Sequence, residues 1–183
     1  MSQSSVSPGA AARQRRRSRE GAPEEATSGH ITAQLAAAAG AQLYVMTRGE
    51  ANQELARRVG AAFVGDATDA PPVTVDAAIV FAPAGDLVPR ALEATARGGT
   101  VVLAGIHMSD IPALDYTRHL FYERDLRTVT AKTHSDGSAL LRLAHALRMA
   151  PTVTRYPFDQ TGTALEDLRS GHASGSLVVV MGA

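Results

Sequence analysis

Residues 75–112, VDAAIVFAPAGDLVPRALEATARGGTVVLAGIHMSDIP, leave this chain few alternatives, because they spell strand, helix and strand with the stops in place. The run Asp76–Phe81 is apolar, too short for a buried helix and bounded by Pro and Gly, which predicts a parallel strand buried on both faces. Asp86 is placed to cap the next helix, and Pro89 falls in its first turn, where a missing N–H costs little. Leu87, Val88, Ala91, Leu92 and Thr95 give that helix one face toward the sheet, and Gly98-Gly99 is its expected end. Thr100–Ala104 predicts a second buried strand, with Gly105 allowing a sharp turn at its carboxyl end. The unit is βαβ, and the chain belongs to the α/β class.

In open α/β sheets ligands lie beyond the carboxyl ends of the strands. Two such ends are visible, Phe81–Gly85 and Gly105–Pro112. These loops and the line of strands around them, above all the string AGIHMSDIPALDY, resemble the cofactor-binding half of a zinc-dependent alcohol dehydrogenase of the medium-chain dehydrogenase/reductase superfamily. The resemblance covers roughly 28–180. It implies a Rossmann-like fold, an NAD(P) cofactor and oxidation of an alcohol to an aldehyde or ketone. It also implies that the catalytic, zinc-holding half is missing here.

Composition narrows the remaining function classes. With 183 residues the chain suits one domain of ordinary size with a real core. Zero formal charge at pH 7 argues against a whole-surface attraction to nucleic acid or membrane. The chain has no cysteine, hence no disulfide and no thiolate metal site. No apolar run approaches the length of a membrane span, and a cytoplasmic location fits best.

Residues 1–27 hold Val6 as almost their sole large apolar side chain and are expected to be a disordered tail. The basic run Arg13, Arg15, Arg16, Arg17 and Arg19 reads first as solvated, with an anionic-surface contact or a targeting signal as alternatives. A twin-arginine signal is excluded by the polar Glu20–Glu25 where an apolar segment should follow. Ile31, Leu35, Ala38 and Ala39 predict a helix face closed by Gly40, and Ala41–Met46 a strand. Glu50–Val59 predicts a helix with Leu55, Ala56 and Val59 inward, then Ala61–Val64 a strand and 65–74 a loop. Further on, a short helix capped by Asp115, a strand at Leu126–Ala131 and a helix at Ser138–Arg148 with Leu140, Leu141, Ala144 and Leu147 inward are expected. After Pro151 come an edge strand at Thr152–Phe158, a helix from Asp159 or Thr161 stopped by Gly171, and a last strand at Leu177–Met181.

A dinucleotide site needs glycines between its first strand and first helix, so that backbone can approach the pyrophosphate. Counting the G-x-G-x-x-G spacing back from Gly29 puts Glu24 and Ala26 on the first two glycine positions, so only the third glycine survives. Gly21–Glu25 is polar where the resembled family has its central strand, and a carboxylate at Glu24 or Glu25 would repel phosphate. Gly29 and His30 remain candidates for cofactor contact, against the plainer reading of a helix start. About 20 residues past the glycines, where NAD enzymes offer an acid to the ribose, stand Thr47 and Arg48. An arginine there leans toward the 2′-phosphate of NADP; an exposed loop arginine is the alternative. By resemblance, Phe81, Ala82 and Pro83, with Gly105, Ile106 and His107, border the nicotinamide and its ribose; strand-end packing is their bland reading. The family's zinc ligands come from the absent half, and the six histidines, His30, His107, His119, His134, His145 and His172, show no close ligand pair. No catalytic residue is assigned.

The expected architecture is α/β, a Rossmann-like parallel sheet with helices on both faces, without its first strand and glycine-rich loop. The expected divisions are the 1–27 tail, an incomplete NAD(P)-binding domain at 28–150, and a strand–helix–strand segment at 151–183 that in the resembled family packs on the catalytic domain. In the order 3-2-1-4-5-6 the first strand is central, so its loss would leave the strands at 41–46 and 76–81 with open facing edges. The leading function is the cofactor-binding half of an NAD(P)-dependent alcohol dehydrogenase, inactive alone and binding dinucleotide weakly. A non-catalytic module binding a nucleotide or a partner chain, in a homo- or hetero-oligomer, is the alternative, and an incomplete gene product is a third.

Overall fold

A computed structural model of the chain describes residues 24–130, 133–170 and 174–182, with side chains from Ser28 onward. Most of the expected tail, and with it the arginine run, lies outside the described residues, as do Gly171 and His172.

The elements run α1 (Glu24–Ala38), β1 (Tyr44–Met46), α2 (Glu50–Arg58), β2 (Phe63–Gly65), β3 (Val75–Val80), α3 (Leu87–Ala94), β4 (Thr95–Leu103), a π-helical turn at Tyr116–Leu120 and β5 (Asp125–Thr128). Then follow α4 (His134–Ala146), β6 (Val153–Pro157), a 3-10 turn at Phe158–Gln160, α5 (Thr161–Ser170) and β7 (Ser176–Val180). Every strand pair is parallel, as α/β architecture requires. Among the described residues the strands form separate sheets, β1-β2, β3-β4-β5 and β6-β7. Parallel strands alternating with helices along the chain give the α/β, Rossmann-like fold.

The core lies under α3. Val88 and Leu92 are fully buried against Val80, Val101 and Leu103, with Met108, Leu114, Leu120 and Leu126 closing the rim. Complete burial of such aliphatic side chains stabilises by about 1.5–3 kcal/mol each. The two N-terminal helices end alike. Gly40 and Gly60 adopt φ of 88° and 87°, and their amides, with those of Ala41 and Ala61, donate to the last helical carbonyls in paired bonds. β6, β7 and α5 make a smaller unit in which the Tyr156 hydroxyl donates to Asp167 Oδ2 at 2.7 Å. That bond to a carboxylate pushes the Tyr156 phenol above its ordinary range.

Several expectations need correction. α1 begins at Glu24, inside the stretch expected as tail, because Glu and Ala are strong helix formers and acids favour a first turn. Ala38 and Ala39, expected inward, are exposed. β3 is not buried on both faces: Val80 is covered by α3, but Ile79 on the opposite face is 46% exposed. Asp86 holds the N-cap position without a side-chain cap bond, and the first turn closes through the Leu87 and Val88 amides onto the carbonyls of Ala84 and Gly85. Gly98-Gly99 does not end α3. The helix stops at Ala94, Thr95 turns extended, and the glycines lie inside β4, beside a register irregularity opposite Val75 and Ala77. Added bulk at Gly99 would strike Thr95 Cγ2 and the Asp76 carbonyl, so close backbone approach explains that glycine.

Capping also moves the start of α4. Thr133 and Asp136 form a reciprocal capping box, with the Thr133 amide donating to Asp136 Oδ2 at 2.8 Å, so the helix starts before Ser138. Hydrogen bonds from the Thr133 amide and hydroxyl hold the Asp136 carboxyl below its usual range. The expected buried face of α4 is uncovered: Leu140, Leu141 and Leu147 are 42%, 72% and 40% exposed. Leu165 of α5 is likewise exposed, leaving Ala164 as that helix's buried residue.

Candidate functional site

Two loops meet at the carboxyl ends of β3 and β4. The Ala104 and Gly105 amides donate to the Val80 carbonyl at 2.8 and 3.2 Å, which draws the chain after β4 across the end of β3. Ser109 then clamps the pair from both sides: its hydroxyl accepts from the Gly85 amide at 2.8 Å and its own amide donates to the Pro83 carbonyl at 3.2 Å. The backbones approach so closely that a Cβ on Gly105 would stand 2.6 Å from the Phe81 oxygen and 2.9 Å from that of Ala82. Gly85 is closed in by the carbonyls of Ser109 and Asp110 in the same way. Neither glycine leaves room for a side chain.

Phe81, Ala82, Pro83 and Gly105 are therefore brought together, each partly buried. Ile106 and His107 form the exposed tip, with Ile106 64% exposed and His107 in the left-handed region at φ 59°. Such a conformation costs a non-glycine residue on the order of 1–3 kcal/mol and is tolerated where the surroundings hold it. Among the described residues no hydrogen bond from the Ile106 or His107 amide to a protein acceptor is present. Gly85 and Ser109 tie the two loops together, a contact the sequence does not single out; the signal for it is a glycine and a small hydroxyl residue in two strand-end loops.

Gly29 and His30 are placed differently. Both lie inside α1, beyond its first turn, where the Thr32 hydroxyl already donates to the Ser28 carbonyl at 2.9 Å. Helical amides at these positions are spent on carbonyls four residues back, and the free donors of a helix start belong instead to the turn that opens at Glu24. His30 is buried, and Gly29 lies against Phe81, its Cβ position 3.7 Å from Cδ2 of that ring. Thr47 and Arg48 stand at the end of β1, in the other sheet. The Thr47 amide donates to the Gly65 carbonyl at 3.0 Å, the Arg48 carbonyl accepts from Asn52, and the Arg48 side chain is exposed. No described hydrogen bond or ion pair joins these two residues to the loops.

A dinucleotide fits this arrangement at one end. The loops after β3 and β4 offer an organised ledge, whereas the glycine positions counted back from Gly29 lie in continuous helix that opens with two glutamates. Of the histidines, His119 is buried and structural. Its Nδ1 accepts from the Asp115 amide at 2.8 Å and its Nε2 lies 3.1 Å from Glu93 Oε1, which also binds Arg118 at 2.7 Å. Among the described residues no group of three or more His, Asp or Glu side chains is arranged to hold a metal ion, and no helix is long and apolar enough to cross a membrane.

Comparisons with known proteins agree with this geometry. Residues 29–146 match the family of zinc-binding dehydrogenases. The chain is 49% identical over 154 residues to the "Probable alcohol dehydrogenase AdhA" of Mycobacterium tuberculosis (strain CDC 1551 / Oshkosh), covering 84% of this chain and 44% of that protein. Among solved structures, a CAD from Helicobacter pylori complexed with NADP(H) superposes with TM-score 0.72 at 18% identity, over 85% of this chain and 45% of that one. The alcohol dehydrogenase of Aeropyrum pernix gives TM-score 0.71 at 23% identity, over 84% and 47%. At such identities these two establish the fold alone. The chain spans less than half the length of the relatives it matches and resembles the cofactor-binding half of an alcohol dehydrogenase. It belongs to the zinc-binding dehydrogenase family.

Proposed function

We propose that this chain binds the nicotinamide end of an NAD(P) dinucleotide along the ledge formed by Phe81–Pro83 and Gly105–His107, and that it does not oxidise an alcohol by itself. The observation that carries this reading is the backbone-to-backbone lock of the two loops at the carboxyl ends of β3 and β4. The family membership and the NADP(H) bound by the Helicobacter pylori relative support the cofactor class. Binding is weak, because the helix start that would hold the pyrophosphate is overrun by α1. The exposed Arg48 at the end of β1 favours NADP through the 2′-phosphate. Removing a hydride from an alcohol also requires loss of the hydroxyl proton, which a bound zinc ion assists by lowering that group's pKa. The chain has no cysteine, and among the described residues no group of three or more His, Asp or Glu side chains is arranged to hold such an ion. The 151–183 segment, with its open two-stranded sheet, is proposed as the surface that meets a catalytic domain.

Fluorescence titration with NADPH and NADH tests the reading. The expected dissociation constants are weaker than about 0.1 mM. Arg48→Glu should weaken NADPH about tenfold and leave NADH nearly unchanged, since one charge-assisted contact is lost. Equal losses for both would remove the argument for a 2′-phosphate site. The same preparation, assayed with primary and secondary alcohols with and without zinc, should show no turnover above a heat-killed control; turnover with one zinc per chain would overturn the assignment.

A further inference from the structure

The segment 105–115, which carries the Ile106–His107 tip, is tied down along its length. At its start the Ala104 and Gly105 amides donate to the Val80 carbonyl, and midway Ser109 is bonded to Pro83 and Gly85. At its end the Asp115 amide donates to Nδ1 of His119 at 2.8 Å. Residues 109–113, between the last two ties, are all exposed, and Leu114 rests on the rim of the core under α3. The tie at Asp115 differs from the others in kind, because its acceptor is a titratable ring, 6% exposed.

An imidazole nitrogen that accepts from a backbone amide carries no proton, so this bond exists only with the neutral ring that has its hydrogen on Nε2. That hydrogen is shared with Glu93 Oε1 of α3, 3.1 Å away, an oxygen that Arg118 already holds at 2.7 Å. The other charges around the ring are Asp115 and Arg124. The Asp115 carboxylate accepts from the Arg118 amide at 2.8 Å. The Arg124 guanidinium lies over the Tyr122 ring and donates to the carbonyls of Arg118 and His119 at 2.7 and 3.4 Å, and to that of Thr95 at 2.9 Å. Two carboxylates thus meet two guanidiniums, and a proton added to the ring adds a charge to a buried set that is already balanced. It also sets two donors, Nδ1–H and the Asp115 N–H, against each other. The π-helical turn does not need the ring: the Asp115 carboxylate caps it, and the His119 amide donates to the Asp115 carbonyl at 2.9 Å.

We propose that His119 is a pH-operated latch on the segment 105–115: the neutral ring holds the Asp115 amide, and protonation of the ring frees residues 110–115 while the turn that follows stays formed. Imidazole changes charge between about pH 5 and pH 8, so the latch works in that window. The inference does not rest on dinucleotide binding, and its readout is separate.

Nitrogen-15 NMR of the full chain across about pH 5 to pH 8 tests it. At the alkaline end the His119 ring is expected as the Nε2–H tautomer. Towards the acid end the heteronuclear NOE of residues 110–115 should fall, with the midpoint at which the His119 ring titrates, and that of residues 117–121 should stay high. His119→Asn places a non-titrating oxygen where Nδ1 accepts and should abolish the response; His107→Gln, on the same loop, should leave it in place. The Nδ1–H tautomer, a ring that does not titrate in the window, a loop indifferent to its titration, or a response that survives His119→Asn or is lost in His107→Gln would overturn the proposal. Should His119→Asn not fold, the tautomer and the shared midpoint in the parent chain still decide.

Discussion

Gly105 shows how much of the site is decided by the absence of one carbon atom. Its backbone lies against the carbonyls of Phe81 and Ala82 at distances no Cβ tolerates, and both neighbours are main chain at the end of a strand, so neither yields cheaply. Gly105→Ala is expected to destabilise the fold by about 1–3 kcal/mol, the usual range for overpacking, and to push the Ile106–His107 tip out of place. Urea unfolding measures the first effect and weaker NADPH binding the second; a variant as stable as the parent would mean that the loops are not locked. This constraint was legible in the sequence, since a glycine directly after an apolar strand predicts a sharp turn. What it locks against was not, because Ser109 and Gly85 meet only once both strands are side by side. Gly29 is the opposite case. Its spacing promised a phosphate contact, but Glu24 to Ser28 carry no helix breaker, and the helix runs through them.

Elements differ in how far their faces found partners. The buried face of α3 was legible, because Val88 and Leu92 repeat at helical spacing and a three-stranded sheet lies beneath them. α4 shows an apolar pattern no less clear, yet Leu140, Leu141 and Leu147 face solvent. Periodicity names the face a helix would bury; it does not supply the surface to bury it on. β3 failed on the same ground, expected to be covered twice and covered once. The two helices therefore respond differently to truncation. Leu92→Ala should cost about 2–5 kcal/mol through loss of transfer energy and the cavity left behind. Leu141→Ala should cost less than about 0.5 kcal/mol, as for other surface changes. Denaturant midpoints of the two variants check this, and similar losses would show that α4 is covered in solution.

At the scale of the whole molecule, the described strands fall into the parallel sets β1-β2, β3-β4-β5 and β6-β7. Among the described residues no ladder joins β1-β2 to β3-β4-β5, and α1 is continuous helix over Glu24–Ala38. The parallel pairing within each set was readable from the strand–helix alternation. What remains organised is the pair of loops at the ends of β3 and β4, and the account places cofactor binding there. Hydrogen exchange of the full chain with and without saturating NADPH tests this most directly. The account predicts slowed exchange at residues 81–85 and 105–109 with none added at residues 24–30. Protection confined to residues 24–30, or no change at either loop at saturation, would contradict it.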